Sequence, residues 1–424
     1  MTVIGLDDTD SRTRGMCTTY VANRVATRLR DAGATVERLL LVRLNPAVEF
    51  KTRGNAALAI HTDADPETAL ELAREELDGA AETDDPMTNP GLVVAPGSPD
   101  EVPDAVAEFA RDALREILPV ERAEALADDS EYARAGWKNS QGLVGALAAV
   151  GSWAAFDDWT TEHISYREPE RWGTERDIDY DSLFAAADEY YPRAWDTVDR
   201  VEGEAVCVPH TPCPILHGIR GDDPEACRAL AGAIDSEPVF DAATFQTNQG
   251  TDAHLAPGEL DSLKEDRAYR VSGVVASEPE TRRGGHVFFE LADGEGDESI
   301  QCAAFEPTKR FRDRVRALRE GDRLTVCGEV TDGTLKLEKF AVRVLNRTGY
   351  ETPVCAGCGN TMKSAGRNQG YRCRDCGTDA PGKVEVAVER ELEEGWYEVP
   401  PCARRHVAKP LVRGGFDAET HPER

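Results

Sequence analysis

Lysine is scarce in this 424-residue chain, with nine residues against forty arginines. Methionine is scarcer still at four, and aromatic residues reach only 7%. No run of about eighteen uninterrupted apolar residues occurs, which excludes a membrane-spanning helix. The start, Met1-Thr2-Val3-Ile4-Gly5-Leu6-Asp7-Asp8, has no basic region and meets acid at once, unlike a secretory signal. A cytoplasmic protein with no membrane partner is expected. Low-complexity tracts and internal repeats are also missing. At 40% apolar and 30% charged residues the composition is globular rather than disordered. The length exceeds one ordinary core and predicts about two to four domains.

Acid outweighs base by 79 residues to 49, a net charge of −30. The acid is spread along the chain rather than gathered in a tail. Such a lysine-poor, evenly acidic chain fits a salt-rich cell, where the Debye length falls to about 3 Å at 1 M. Net charge then says little about partners, and local reversals of charge say more.

Four of the eleven cysteines form one tight pattern, Cys355-x2-Cys358-x14-Cys373-x2-Cys376. Two such knuckles converge four thiolates in the tetrahedral geometry that suits Zn²⁺. Four thiolates leave no open coordination position, so the metal is structural. Cys17, Cys207, Cys213, Cys227, Cys302, Cys327 and Cys402 are scattered, which is reduced usage rather than a disulfide framework.

Apolar periodicity predicts a strand over 2–6, a polar loop over 7–17, and a helix carrying Ala22, Val25, Ala26 and Leu29 inward before Gly33. Strands over 35–44, 55–63 and 91–96 alternate with helices over 65–80 and 103–117. A Gly-containing turn at 139–142 runs into a helix of small residues, and 161–167 reads as a strand. The first 260 residues are therefore α/β or α+β, in two domains with an interrupted boundary. Residues 269–346 change character. Strands over 269–277, 286–292, 299–305, 322–330 and 334–345, with a helix over 307–319 after the third, follow the OB-fold order.

Basic islands interrupt the acid. They are Lys363, Arg367, Arg372 and Arg374, then Arg404, Arg405, His406, Lys409 and Arg413, and in the OB helix Lys309, Arg310, Arg312, Arg314, Arg316 and Arg319. In a chain this acidic they predict phosphate contacts. An OB barrel beside a basic ribbon suits single-stranded or irregular nucleic acid, with Phe288, Phe289 or Tyr269 as stacking groups. For each aromatic the alternative is core packing.

The loop Asp7-Asp8-Thr9-Asp10-Ser11 follows the first strand directly. Three carboxylates within four residues repel unless a cation is present, and Mg²⁺ with a triphosphate is the natural occupant. Gly15-Met16-Cys17-Thr18-Thr19 then enters a helix whose N-terminus favours phosphate. Thr18 or Thr19 would sit beside that phosphate; the alternative is an ordinary helix cap.

These two segments together closely resemble the start of the archaeal tRNA 2-agmatinylcytidine synthetases, which act on the minor, AUA-reading isoleucine tRNA. The resemblance continues through Gly142-Leu143-Val144-Gly145-Ala146, Arg171-Trp172-Gly173-Thr174, Pro209-His210-Thr211-Pro212-Cys213-Pro214, Gly218-Ile219-Arg220-Gly221 and Gln246-Thr247-Asn248-Gln249-Gly250-Thr251-Asp252-Ala253-His254. It spans nearly the whole chain. The approach Lys138-Asn139-Ser140-Gln141 departs from the more basic, glycine-rich one expected.

The resemblance implies a multidomain α+β protein. A kinase-like ATP-binding domain would occupy 1–60 and 130–195, and a ferredoxin-like domain 61–129 and 196–262. An OB-fold β-barrel would follow at 263–348 and a zinc ribbon with a basic tail at 349–424. It also implies an ATP-dependent ligase that joins agmatine to carbon 2 of the wobble cytidine, so that the tRNA reads AUA instead of AUG. Asp7, Asp8 and Asp10 would hold Mg²⁺ against the ATP phosphates, and Thr18 matches the threonine that itself takes a phosphoryl group. Gly142 and Gly145 would belong to the nucleotide site. Agmatine is cationic at both ends and needs carboxylates; Asp252 is a candidate, with a turn-stabilising role as its alternative. Two other readings stay open on the residues alone. A non-catalytic single-strand binder leaves the Asp loop unexplained, and a phosphotransferase for a small metabolite leaves the C-terminal half unexplained.

Overall fold

The computed structural model describes residues 1–49, 51, 54–294 and 298–424. Its first strand, β1 (Thr2–Asp7), is apolar throughout its interior because both faces are covered. Val3 packs into one core, Ile4 and Leu6 into the other. Along the chain follow α1 (Thr18–Asp31), β2 (Val36–Arg43), β3 (Ala56–Thr62), α2 (Pro66–Ala80), β4 (Gly91–Pro96), α3 (Asp104–Arg115), α4 (Val120–Asp129), β5 (Ala133–Gly136) and α5 (Gly142–Ala155). A second run gives β6 (Thr160–Arg167), α6 (Tyr180–Tyr190), β7 (Ala194–Trp195), β8 (Ile215–Gly221), α7 (Pro224–Ala233) and β9 (Val239–Thr247).

All nine strands share one sheet, ordered β5-β4-β1-β3-β2-β9-β6-β8-β7. Every pairing is antiparallel except β2 with β9, a parallel seam of two residue pairs, Leu40 with Gln246 and Leu41 with Thr247. The partition of 1–60 and 130–195 from 61–129 and 196–262 leaves no break in this sheet. β4 pairs along the whole of β1, so 91–96 is built into the unit that begins the chain. Helices α1 and α2 cover one face of β1–β4, while α3, α4 and α5 cover the other.

The second sheet is the OB barrel. It comprises β10 (Leu255–Pro257), β11 (Arg267–Val275), β12 (Glu280–Thr281), β13 (Val287–Ala292), β14 (Ser299–Ala304), β15 (Arg323–Thr331) and β16 (Thr334–Val344). β11 pairs with β13, β13 with β14, β14 with β16, β16 with β15 and β15 with β11, closing five strands into a ring. The helix expected over 307–319 is broken. One turn at Glu306–Thr308 ends where Lys309 takes φ 50°, and only α8 (Phe311–Arg316) is α-helical.

After the ribbon the chain returns. Residues 395–398 extend the barrel beside β16, and Thr420–His421 pair with 396–397. The tail between them straps the barrel to the first sheet. Arg404 lies buried between Asp196, at 2.8 Å, and Glu398. Arg413 pairs with Asp158 at 3.1 Å and Asp222 at 2.7 Å, and Arg310 of the barrel reaches Asp199 at 3.0 Å. Removing one partner of a buried ion pair strands the other charges and costs about 3–5 kcal/mol. Arg404→Ala is therefore expected to lower stability to urea by about that amount even in high salt, since buried pairs are poorly screened. A loss below about 1 kcal/mol would contradict the strap.

Candidate active site at the ends of two parallel strands

β1 and β2 run the same way with β3 between them, so Asp7 and Arg43 end on one edge of the sheet. Two strand spacings put them about 10 Å apart. A cavity of about 220 Å³ opens along this edge. Its walls include Asp7, Asp8, Asp10, Thr18, Gly142 and Gly145, so six of the seven non-cysteine residues expected from the sequence come together.

The acidic wall is held from three sides. The backbone N–H of Asp8 donates to the Asp7 carboxylate at 2.7 Å, with Asp8 at φ 58°. Asn89 donates its backbone N–H to the Asp8 carboxylate at 2.8 Å, and Thr88 donates to the Asp10 carbonyl at 2.7 Å. Ser11 donates to Asp85. The loop Asp85–Asn89, between the helix expected over 65–80 and the strand expected over 91–96, is thus the clamp on the Asp loop. Its turn residues were the only local hint.

The third side is α5. A Cβ added at Gly145 would lie 1.9 Å from the Asp7 carboxylate, and one at Gly142 would lie 2.5 Å from the Gly91 nitrogen. A Cβ on Gly5 of β1 would meet the Ala146 carbonyl at 2.0 Å. The glycines therefore act first by letting a helix touch a strand backbone to backbone. Burial pushes the Asp7 carboxyl well above the ordinary carboxylate range, and the Asp8 charge adds to the rise. Burial likewise pushes Asp8 up to about 7, against hydrogen bonds from Asn89.

Two helix ends border the same cavity. α1 begins at Thr18 after Cys17, which makes no side-chain cap bond, and α5 begins after Gln141, which makes none either. An uncapped N-terminus carries partial positive charge that suits phosphate, but the first α5 amides are already used, Gly142 donating to the Asn89 carbonyl and Leu143 to the Ser140 carbonyl, each at 2.9 Å. Thr9 donates to the Thr18 hydroxyl at 3.1 Å, whereas the Thr19 hydroxyl lies 3.0 Å from the Cys17 sulfur. Both threonines border the cavity with different partners. The loop 209–213 closes another wall; Gly15 packs against the Pro212 carbonyl.

The donor set of the Asp loop is hard oxygen, which fits Mg²⁺. Among the described residues, the one group whose ligand atoms all lie within 4.8 Å of one another is Cys355, Cys358, Cys373 and Cys376. The three aspartates do not converge so tightly. That is the arrangement Mg²⁺ uses when one or two carboxylates share it with phosphates and water. The cysteine group fits zinc. Sulfurs of Cys355 and Cys376, and of Cys358 and Cys373, are 3.3 Å apart, and each knuckle turns through a glycine, Gly359 and Gly377, at positive φ.

Several expectations are corrected. Asp252 stands outside the cavity; its carboxylate takes Lys339 Nζ at 2.6 and 2.7 Å and the Lys409 N–H at 2.5 Å, so the charge offered to agmatine is already neutralised. Arg404, Arg405 and Arg413 are bound to carboxylates of this same chain rather than presented to phosphate. Arg310 and Arg316 are paired with Asp199 and Asp313. Phe289 and Tyr269 are core residues, while Phe288 is half-buried with Arg282 4.2 Å above its ring. Lys363, Arg367 and Arg374 of the ribbon are exposed.

Comparison with known proteins gives a consistent match. Family models described as the TiaS TCKD domain, the TiaS FLD domain, an OB-fold nucleic acid binding domain and the TiaS C-terminal zinc ribbon domain match residues 3–64, 140–254, 269–341 and 352–392. The chain is 54% identical to the tRNA(Ile-2) 2-agmatinylcytidine synthetase TiaS of Haloquadratum walsbyi, covering 100% of each. It is 45% identical to that of Methanosarcina mazei, covering 97% of each. A crystal structure of a TiaS–tRNA(Ile-2)–ATP complex superimposes with a TM-score of 0.89 at 41% identity, over 100% of this chain and 99% of that one. A TiaS–tRNA(Ile-2)–AMPCPP–agmatine complex gives 0.87 at 39% identity, over 100% and 99%.

Two outcomes follow from the geometry. Gly145→Ala should cost about 1–3 kcal/mol in urea unfolding by overpacking. Gly232→Ala, where an added Cβ meets nothing within 4 Å, should be neutral or stabilising. Equal effects would contradict the close helix–strand contact. Cys373→Ser should abolish stoichiometric zinc in metal analysis while sheet and barrel stay folded by circular dichroism. Retained zinc would contradict the four-thiolate site.

Proposed function

The chain belongs to the TiaS family of tRNA(Ile-2) 2-agmatinylcytidine synthetases, and from that premise we propose how its own residues carry the reaction. It is an ATP-dependent ligase that joins agmatine to carbon 2 of the wobble cytidine of the minor isoleucine tRNA. Its partners are that tRNA, ATP and agmatine, and its zinc is structural. We place it in the cytoplasm, where charged tRNA pools and ATP are found together.

The chemistry has one difficult bond. The oxygen on carbon 2 of cytosine is a poor leaving group. Transfer of the terminal phosphoryl group of ATP breaks the bond from that phosphorus to the bridging oxygen, makes a bond to the cytosine oxygen, and releases ADP. The agmatine amine then attacks carbon 2. The carbon–oxygen bond breaks, inorganic phosphate leaves with the bonding electrons, and the amine gives up a proton. The wobble base must leave its stack to be reached.

Asp7 and Asp8 would hold Mg²⁺, with Asp10 beside them. Mg²⁺ when bound supplies charge neutralisation and a fixed orientation for the triphosphate. The uncapped start of α1 receives phosphate oxygens, and Gly142 and Gly145 let α5 lie against Gly91 and Asp7 at the edge of the same cavity. In a separate transfer from a second ATP, Thr18 takes a phosphoryl group on its hydroxyl at the mouth of α1: the bond from the terminal phosphorus to the bridging oxygen breaks, ADP leaves, and the hydroxyl gives up its proton. The exposed Lys363, Arg367 and Arg374 of the ribbon take the role of tRNA phosphate contacts that the strap arginines cannot fill. The observation that carries this reading is that the pair of buried carboxylates, the uncapped start of α1 and Thr18 border one cavity.

Thr18→Ala is expected to fold and to bind ATP and tRNA, yet to form little agmatine-conjugated tRNA. Wild-type protein incubated with γ-labelled ATP should carry label on the peptide containing Thr18. Label only elsewhere, or a fully active Thr18→Ala enzyme, contradicts the role. Asp8→Asn should lower kcat by about 100-fold or more with tRNA affinity unchanged. Near-normal turnover would move the metal site elsewhere.

A further inference from the structure

The cavity has a cationic wall that the sequence did not reveal. Arg43, the last residue of β2, borders it, as does Glu162 of β6. The Arg43 side chain is mostly buried, and its orientation is fixed along its length. Its backbone N–H donates to Asn248 Oδ1 at 2.7 Å, and Asn248 Nδ2 donates back to the Arg43 carbonyl at 3.0 Å. Its Nε donates to Gln249 Oε1 at 3.0 Å. Its Nη2 reaches Glu162 Oε2 only at 3.5 Å, and Glu162 is shared with Arg220 at 3.4 Å. Its Nη1 lies beside Gly54, another lining residue, and has no hydrogen-bond acceptor among the described residues.

The sum is unusual for a buried ion pair. Two guanidinium groups share one carboxylate, so the wall keeps one net positive charge facing three aspartates. Asn248 and Gln249 are themselves buried, and the Gln249 backbone is held by its main-chain carbonyl accepting from the Thr160 hydroxyl at 2.8 Å. A neutral amide holding Nε orients the fork without cancelling its charge. Had a carboxylate held Nε, the wall would be neutral. Asn248 and Gln249 stand in the run from Gln246 to His254, whose Asp252 serves the strap instead.

We propose that Arg43 is a phosphate-contacting residue, meeting the oxygens of the terminal phosphoryl group across the cavity from Asp7 and Asp8, and that Asn248 and Gln249 are its positioning residues. This rests on the ligase reading of the same cavity. As the phosphorus–oxygen bond to ADP breaks and the bond to the acceptor oxygen forms, charge on the phosphoryl oxygens meets a preset guanidinium. Lysine keeps the charge but not the planar fork.

The test uses the full chain with isoleucine tRNA transcript, agmatine and Mg·ATP, reading kcat, the KM for ATP and tRNA affinity. Arg43→Lys is expected to lower kcat about 100-fold with tRNA affinity unchanged. Gln249→Leu, which leaves the charge and bulk of Arg43 in place, is expected to lower kcat about 10-fold with little change in the KM for ATP. Because Gln249 acts through Arg43, the double variant should be no slower than Arg43→Lys alone. Wild-type kcat in either single variant, or full additivity in the double, overturns the proposal. Should Arg43→Lys fail to fold, the kcat and KM of Gln249→Leu decide it alone. If the wild-type chain itself consumes no ATP in response to tRNA with agmatine, the ligase reading fails rather than this inference.

Discussion

The contact on which the site depends is a helix lying against a strand at backbone distance. α5 is apolar nearly all round because it is covered on both sides, by β1 and β4 on one and by α3 on the other. Glycines at Gly5, Gly91, Gly142 and Gly145 remove the side chains that would hold helix and sheet apart. The same approach takes the Asp7 carboxylate out of water. Burial there raises the pKa of the Asp7 carboxyl, and the Asp8 charge adds to the rise. In the proposed function, Mg²⁺ with a triphosphate would offset that rise, and the start of α1 would complete the cradle. Packing and chemistry here are one feature: a side chain large enough to relax the packing would also expose the carboxylate.

A second set of interactions decides where the rest of the chain lies. Arginine outnumbers lysine about fourfold, and the structure gives a reason. Arg167 with Glu237 and Arg390 with Asp322 are buried two-point pairs, with contacts of 2.6 and 2.9 Å and of 2.7 Å each. A planar fork satisfies two carboxylate oxygens where a lysine satisfies them as a point charge. Exposed pairs weaken as salt screens them, but pairs such as Arg404 with Asp196 and Glu398 lie out of reach of ions. An acidic surface can therefore coexist with a barrel fastened firmly to the catalytic sheet.

What the sequence made legible was short-range. The Asp loop and the two cysteine knuckles each lie within a few residues and suggest their chemistry by spacing, whereas the choice of Thr18 over Thr19 rests on the family resemblance. The OB strands and the early α/β elements were legible from periodicity, as in β4, found at 91–96 as expected. Charges whose partners are distant were not legible. Arg413 meets Asp158 from 255 residues away, and Asp252 meets Lys339 from 87, so both read as available groups in the sequence. The break at Lys309 was missed because helical periodicity outlasted the backbone geometry that Pro307 and a positive φ allow. Arg43 gave no signal, since an arginine closing an apolar strand looks like a solvated end. Only the seam between β2 and β9 brings Asn248 and Gln249 to it.

The buried carboxylates at the end of β1 are the proposed metal–triphosphate site. Titration calorimetry of ATP into the full-length protein, with and without Mg²⁺, in wild type and in Asp7→Asn, tests it most directly. Saturable binding that needs Mg²⁺ and is lost in Asp7→Asn is the expected result. Equal ATP affinity without a divalent cation, or undiminished Mg²⁺-dependent binding in Asp7→Asn, would contradict it.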